Sequence, residues 1–188
     1  MQRLPVTVTT EDLRLTEQAQ AKVAAFEATF FQHYARVYGV LFRLTGDRAE
    51  AQDLTLETFW KLWRQPPPRA DNLGGWLYRV ATRLGYNALR AARRRLQYES
   101  AAAQDNAIGA DPAHDAERAE EQARVRAVLS RMPERDAQLL ILRHSGLAYK
   151  EIAAATGVSP NSVGTLLTRA EDEFERLYLE GGPDAPRR

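Results

Sequence analysis

Six arginines stand between Asn72 and Tyr98 with no acidic residue among them: Arg79, Arg83, Arg90, Arg93, Arg94 and Arg95. A guanidinium holds phosphate oxygens through paired, charge-assisted hydrogen bonds. Tyr78, Tyr86 and Asn87 are interleaved with these arginines. Tyrosine stacks an unpaired base and asparagine hydrogen-bonds a base edge, so the mixture suits exposed single strands. The next block reverses sign. From Glu99 to Ala123, Glu99, Asp105, Asp111, Asp115, Glu117, Glu120 and Glu121 oppose Arg118 alone. The whole chain carries a formal charge of only +1, so the distribution of charge, and not its total, points to a polyanion partner. A solvated helix face would also place arginines outside, but Arg90, Arg93, Arg94 and Arg95 fall within six residues.

Catalytic chemistry finds little support. His33, His114 and His144 lie far apart with no metal-ligand spacing, and Gly74-Gly75 is too short for a phosphate loop. With no cysteine, disulfides and cysteine-ligated zinc are excluded. The chain is therefore expected to be no enzyme and to carry no cofactor and no metal. No stretch reaches the roughly 18 apolar residues of a membrane span, and the start MQRLPVTVTTEDLR lacks a signal peptide's apolar core. The expectation is a cytoplasmic protein without membrane insertion.

The most specific stretch is LAYKEIAAATGVSPNSVGTLLTRA, Leu147 to Ala170. Ile152, Ala153 and Ala155 supply small and apolar positions of a first helix. Gly157 stands where a tight turn needs φ > 0. Val158 plugs the corner. Ser159-Pro160 reads as a hydroxyl N-cap followed by proline at the first helical position. Val163, Leu166, Leu167, Ala170 and Phe174 then make one apolar face. This is a helix-turn-helix, the unit that lays its second helix in a DNA major groove. Lys150, Ser159, Asn161, Ser162, Thr165, Thr168 and Arg169 are its candidate DNA contacts.

These residues need helices to position them. An apolar stripe of Phe26, Phe30, Tyr34, Val37, Leu41 and Leu44 predicts a long helix from about Thr16, stopped by Gly46. Asp47 caps a second, Arg48 to Arg64, with Glu50 three residues on. Gln65-Pro66-Pro67-Pro68 ends it. A loop runs to Gly74-Gly75, and a third helix spans Trp76 to about Leu96, with Leu77, Val80, Ala81, Leu84 and Ala88 inside and Tyr78, Arg79, Arg83, Tyr86, Asn87 and Arg90 on the more polar side. Ser100 to Pro112 is small, polar and broken, hence a linker. Asp111-Pro112 starts a helix leading to Met132, Pro133 opens another, and Gly181-Gly182-Pro183 ends the fold. The expectation is all-α: two small helical domains, 16–98 and 116–180, joined by a flexible acidic linker, 99–115. A loose segment, 1–15, precedes them and a tail, 181–188, follows. The C-terminal domain carries the helix-turn-helix. The opposite charges of the basic helix and the acidic linker would favour a compact, self-masking form.

Together these residues resemble an extracytoplasmic-function sigma factor, a two-domain member of the sigma-70 family of RNA polymerase specificity subunits. LTGDRAEAQDLTLETFWKLW resembles the helix of region 2 that docks on the β′ clamp helices, and GWLYRVATRLGYNALRAARRR the helix that binds and melts the promoter minus-ten element. RMPERDAQLLILRHSGLAYKEIAAATGVSPNSVGTLLTRA resembles region 4, which reads the minus-thirty-five element. The resemblance implies core RNA polymerase (β′ clamp helices and β subunit) and promoter DNA as partners, with an anti-sigma factor as a further one. Asp53, Leu56, Glu57 and Trp60 are then the polymerase-binding positions, with Trp63 beside them. Asp71 and Asn72, in the loop before the third helix, read a flipped base. Tyr78, Arg79, Arg83, Tyr86, Asn87, Arg90, Arg93, Arg94 and Arg95 meet the melted strand.

This sequence departs from the pattern at Leu56, where glutamine is usual, at Arg83 and Asn87, usually asparagine and aspartate, and at Gly164, Leu166 and Glu171, where basic residues are common. Direct base readout by the second helix is expected to be weak, with phosphate contacts and DNA shape contributing more. Gly164 is expected to weaken a helix interior by about 1 kcal/mol relative to alanine. A free-standing helix-turn-helix regulator and a protein-interaction adaptor with a degraded motif remain the alternatives. Replacing Arg93, Arg94 and Arg95 together by alanine should weaken DNA binding across sequences and flatten its salt dependence; an unchanged slope of affinity against salt concentration would contradict the basic-patch assignment.

Overall fold

The computed structural model describes residues 10–68, 72–102 and 113–180. Their regular structure is entirely helical, as expected: α1 (Thr10–Thr45), α2 (Arg48–Arg64), α3 (Leu73–Ala102), α4 (Ala113–Leu129), α5 (Glu134–His144), α6 (Tyr149–Thr156), a 3₁₀ turn (Pro160–Ser162) and α7 (Val163–Glu180). The chain divides into two compact units between Ala35 and Arg36.

In the first unit α1 presents a ladder of rings. Phe26 and Phe30 have centroids 6.3 Å apart, and Phe30 and Tyr34 5.0 Å. The helix starts at Thr10, ahead of the expected Thr16. Glu11, in its first turn, places negative charge at the positive end of the helix dipole.

In the second unit the end of α1 buries Val37, Val40, Leu41 and Leu44, the i, i+3, i+4, i+7 stripe that the sequence shows. Gly46 ends the helix at φ 71° and donates to Phe42 O at 2.8 Å. Asp47 caps α2 by accepting from Glu50 N at 2.7 Å. The helix buries Ala51, Thr55, Thr58, Phe59 and Leu62. The two threonines lose no hydrogen bond, because each donates to the carbonyl four residues back.

Three local readings are corrected. α3 begins at Leu73, not Trp76, so Gly74-Gly75 are its first turn and not loop. Asn72 Oδ1 accepts from Gly75 N at 3.0 Å and acts as the N-cap. A side chain at Gly75 would overlap Asn72 and sit 2.8 Å from the Ala154 Cβ, so glycine lets α3 approach α6 closely. Second, α3 runs to Ala102 and α4 starts at Ala113, so good helix formers take both ends of the expected linker; 103–112 lie outside the described residues. Third, Ser159 makes no side-chain cap. Its carbonyl instead accepts from Ser162 N at 2.9 Å, closing the 3₁₀ turn. Because α7 begins at Val163, Gly164 lies in the first turn and not the helix interior, and the expected interior penalty does not apply.

The helix-turn-helix forms as the residues require. α6 buries Ile152, Ala153 and Ala155. Glu151 Oε2 accepts from Ala148 N at 2.8 Å, tying down the first turn. Gly157 takes φ 74°, and Gly157 N and Val158 N both donate to Ala153 O, at 2.8 and 3.1 Å. Val163, Leu167, Ala170 and Leu177 are the buried face of α7. Gly157→Ala should cost about 1–2 kcal/mol through the left-handed backbone alone, since open space surrounds the position. Asp47→Ala should cost about 1 kcal/mol through the lost cap. Urea denaturation of the two variants measures both.

Candidate nucleic-acid interface

α3 is buried over a wide arc because it packs against α2 on one side and α5 and α6 on another. This overturns the expectation that Tyr78 and Tyr86 lie on a polar side: they are 0% and 2% exposed. Burial raises the pKa of both phenols, so both stay neutral hydrogen-bonding groups. Tyr78 meets Arg36, whose guanidinium is held charged first by that contact and then by Glu151. Arg36 Nη1 lies 3.4 Å from Glu151 Oε1, linking the end of α1 to α6.

Arg79, Tyr86 and Arg93 recur at steps of seven, about two helical turns, and therefore share one stripe of α3. Each donates to a carbonyl at the C-terminal end of another helix or in the turn after it. Arg79 Nε donates to Ala155 O at 3.0 Å and its Nη2 to Ala154 O, both in the last turn of α6. Tyr86 Oη donates to Met132 O. Arg93 Nη1 donates to Ser130 O at 3.2 Å, in the turn between α4 and α5. Helix C-termini carry orphan carbonyls and partial negative charge, and arginine satisfies both at once. The R-x₆-Y-x₆-R spacing was visible in the sequence. Its meaning was not, because polarity alone does not say whether an arginine faces phosphate or a helix end.

The remaining α3 candidates form a second stripe. Arg83, Asn87, Arg90 and Arg94 follow at steps of four, three and four, and all are exposed, as is Arg95. The Arg90 guanidinium lies 5.9 Å from the Tyr86 ring centroid. Asn72 is exposed at the head of the helix with its side chain in the cap; Asp71 lies outside the described residues.

Two further surfaces are separate from α3's stripes. On α2, Leu56 and Trp60 are 48% and 56% exposed, one helical turn apart, beside exposed Asp53. Glu57 pairs with Lys61 at 3.1 Å, and the Arg64 guanidinium sits 5.8 Å from the Trp60 ring. Trp63 is half-buried. Around the helix-turn-helix, Lys150, Ser159, Asn161, Ser162, Thr165, Thr168 and Arg169 are all exposed. Thr168 donates to Gly164 O at 3.3 Å. No group of three or more potential metal ligands occurs among the described residues. Tyr86→Phe should destabilise the body by about 1–3 kcal/mol by leaving the Met132 carbonyl without its donor, read as a lower urea midpoint.

Residues 30–95 match Sigma-70 region 2 and residues 122–173 match Sigma-70 region 4. The chain is 31% identical over 168 residues to the ECF RNA polymerase sigma factor SigE of Mycolicibacterium smegmatis, covering 85% of this chain and 63% of that protein's length. It is 26% identical to the ECF RNA polymerase sigma factor SigK of Mycolicibacterium vanbaalenii, over 93% of this chain and 91% of the relative. Among solved structures, CnrH in complex with the cytosolic domain of CnrY aligns with a TM-score of 0.58 at 19% identity, over 87% of this chain and 96% of that one. The sigma factor RpoE in complex with the anti-sigma factor NepR from Bartonella quintana aligns at 0.51 and 20% identity, over 81% and 96%. The two region matches, the helical architecture and the helix-turn-helix agree: this chain belongs to the sigma-70 family, in its extracytoplasmic-function branch.

Proposed function

We propose that this chain is a promoter-specificity subunit: it binds core RNA polymerase, directs it to promoter DNA and assists strand opening, in the cytoplasm and without catalysing a reaction itself. The observation that carries this is the exposed Leu56–Trp60 pair on α2, inside the region 2 match. Two large apolar side chains one turn apart, flanked by Asp53, make the compact anchor expected of an interface hot spot. The exposed stripe Arg83–Asn87–Arg90–Arg94, continued by Arg95, supplies phosphate and base-edge groups for the melted strand. Asn161, Thr165 and Arg169 meet the upstream duplex, with phosphate contacts outweighing base readout.

In this reading the body opens on polymerase. Arg79, Tyr86 and Arg93 are engaged by α6 and by the α4–α5 turn, so they are freed for DNA when the region 4 part moves away. An anti-sigma factor would act by favouring the engaged arrangement. In the engaged arrangement carbonyl groups are the partners of Arg79 and Arg93.

Reconstituted transcription tests the proposal. Purified core polymerase plus this chain should yield promoter-dependent transcripts from a genomic library, and Trp60→Ala should weaken core binding by about 2 kcal/mol with an unchanged melting temperature. Duplex DNA binding without any affinity for core polymerase would instead favour a free-standing regulator.

A further inference from the structure

A cavity of about 380 Å³ lies where the end of α1 meets α4, α5 and α7. Its walls are Phe42, Val125, Leu129, Leu140, Ile141 and Phe174. That volume lies within the roughly 300–1,000 Å³ of small-molecule sites, and the lining has the required apolar character. Five charged or titratable side chains also border it: Arg43, Arg126, His144, Glu121 and Glu171.

Four of the five are already provided for. Arg43 Nη1 donates to Gly39 O at 2.9 Å and Ser145 Oγ at 3.4 Å. Glu121 Oε1 accepts from Tyr178 Oη at 2.7 Å. Glu171 and His144 are exposed to water. Arg126 differs. It is half-buried, and among the described residues no carboxylate lies within salt-bridge distance of it and no hydrogen bond engages its guanidinium. It is packed over the α1–α2 turn, where a Cβ on Gly46 would overlap it. Burial lowers its pKa, the direction expected of a guanidinium partly removed from water. A cation partly removed from water beside an apolar cavity favours an anion that brings its own apolar body.

We propose that this cavity is a binding site for a small amphipathic anion, with its carboxylate on Arg126 and its hydrocarbon or aromatic body among Phe42, Val125, Leu140 and Phe174. Phe42 belongs to the region 2 match, while Val125, Leu140 and Glu171 belong to the region 4 match. Occupancy therefore stabilises the association of the two parts by mass action. The binding claim stands apart from the promoter reading, since it concerns the free chain.

Calorimetric titration of the full chain with sodium decanoate, below its micellar concentration, tests the site. Saturable one-to-one binding is expected, with decyltrimethylammonium at least tenfold weaker and a rise in melting temperature with decanoate. Arg126→Met should lose at least tenfold in decanoate affinity, and Arg126→Lys should retain part of it. Val125→Trp should fill the cavity and abolish both binding and the thermal shift. If Arg126→Met fails to fold, as circular dichroism would reveal, the contrast between anion and cation and the Val125→Trp variant decide. Absence of saturable binding, equal affinity for the two chain types, or undiminished binding in folded Arg126→Met or Val125→Trp overturns the proposal.

Discussion

Helix ends leave carbonyl groups that must find donors, and in this body one stripe of α3 supplies them. Arg79 closes the last turn of α6, while Tyr86 and Arg93 satisfy the turn after α4. A charge-assisted hydrogen bond to a helix C-terminus is favourable twice, through the bond and through the dipole. The donors sit seven residues apart, so a single straight helix reaches both sites. Gly75 and the small Ala154 allow the close approach that the first of them requires.

The same helix is divided by its own periodicity. One stripe meets the carbonyl groups of neighbouring helix ends, and the next, Arg83–Asn87–Arg90–Arg94, faces water. Residues that look equivalent in a basic run thus have two different fates. Those in the inner stripe stabilise the closed body; those in the outer stripe remain available to a polyanion. On α2 the division is between Thr55, Thr58, Phe59 and Leu62 inside and Leu56 and Trp60 outside. The threonines tolerate burial because their hydroxyl groups bond within the helix.

Arg126 shows the opposite situation. Where Arg79 and Arg93 find carbonyl partners, Arg126 packs over a glycine turn beside apolar walls. A protein interior tolerates such a charge at a cost that a bound anion would remove.

The sequence alone determined whatever depends on neighbours within a turn or two. The all-α class, the stop at Gly46, the Asp47 cap, the left-handed Gly157 and the alternating faces of α6 and α7 are set by local sterics and hydrogen bonding, and periodicity exposes them. Helix ends were less legible: Asn72 caps α3 earlier than Trp76 suggested, and Ser159 gives way to a 3₁₀ turn. Long-range placement was not legible at all. Whether Tyr86 stacks a base or donates to Met132, and whether Arg93 meets phosphate or a helix end, depends on residues tens of positions away in the chain. Only the packing of α3 against the α4–α5 turn supplies the carbonyl partners seen in this structure, because a polar side chain takes whichever partner the fold brings within hydrogen-bonding reach.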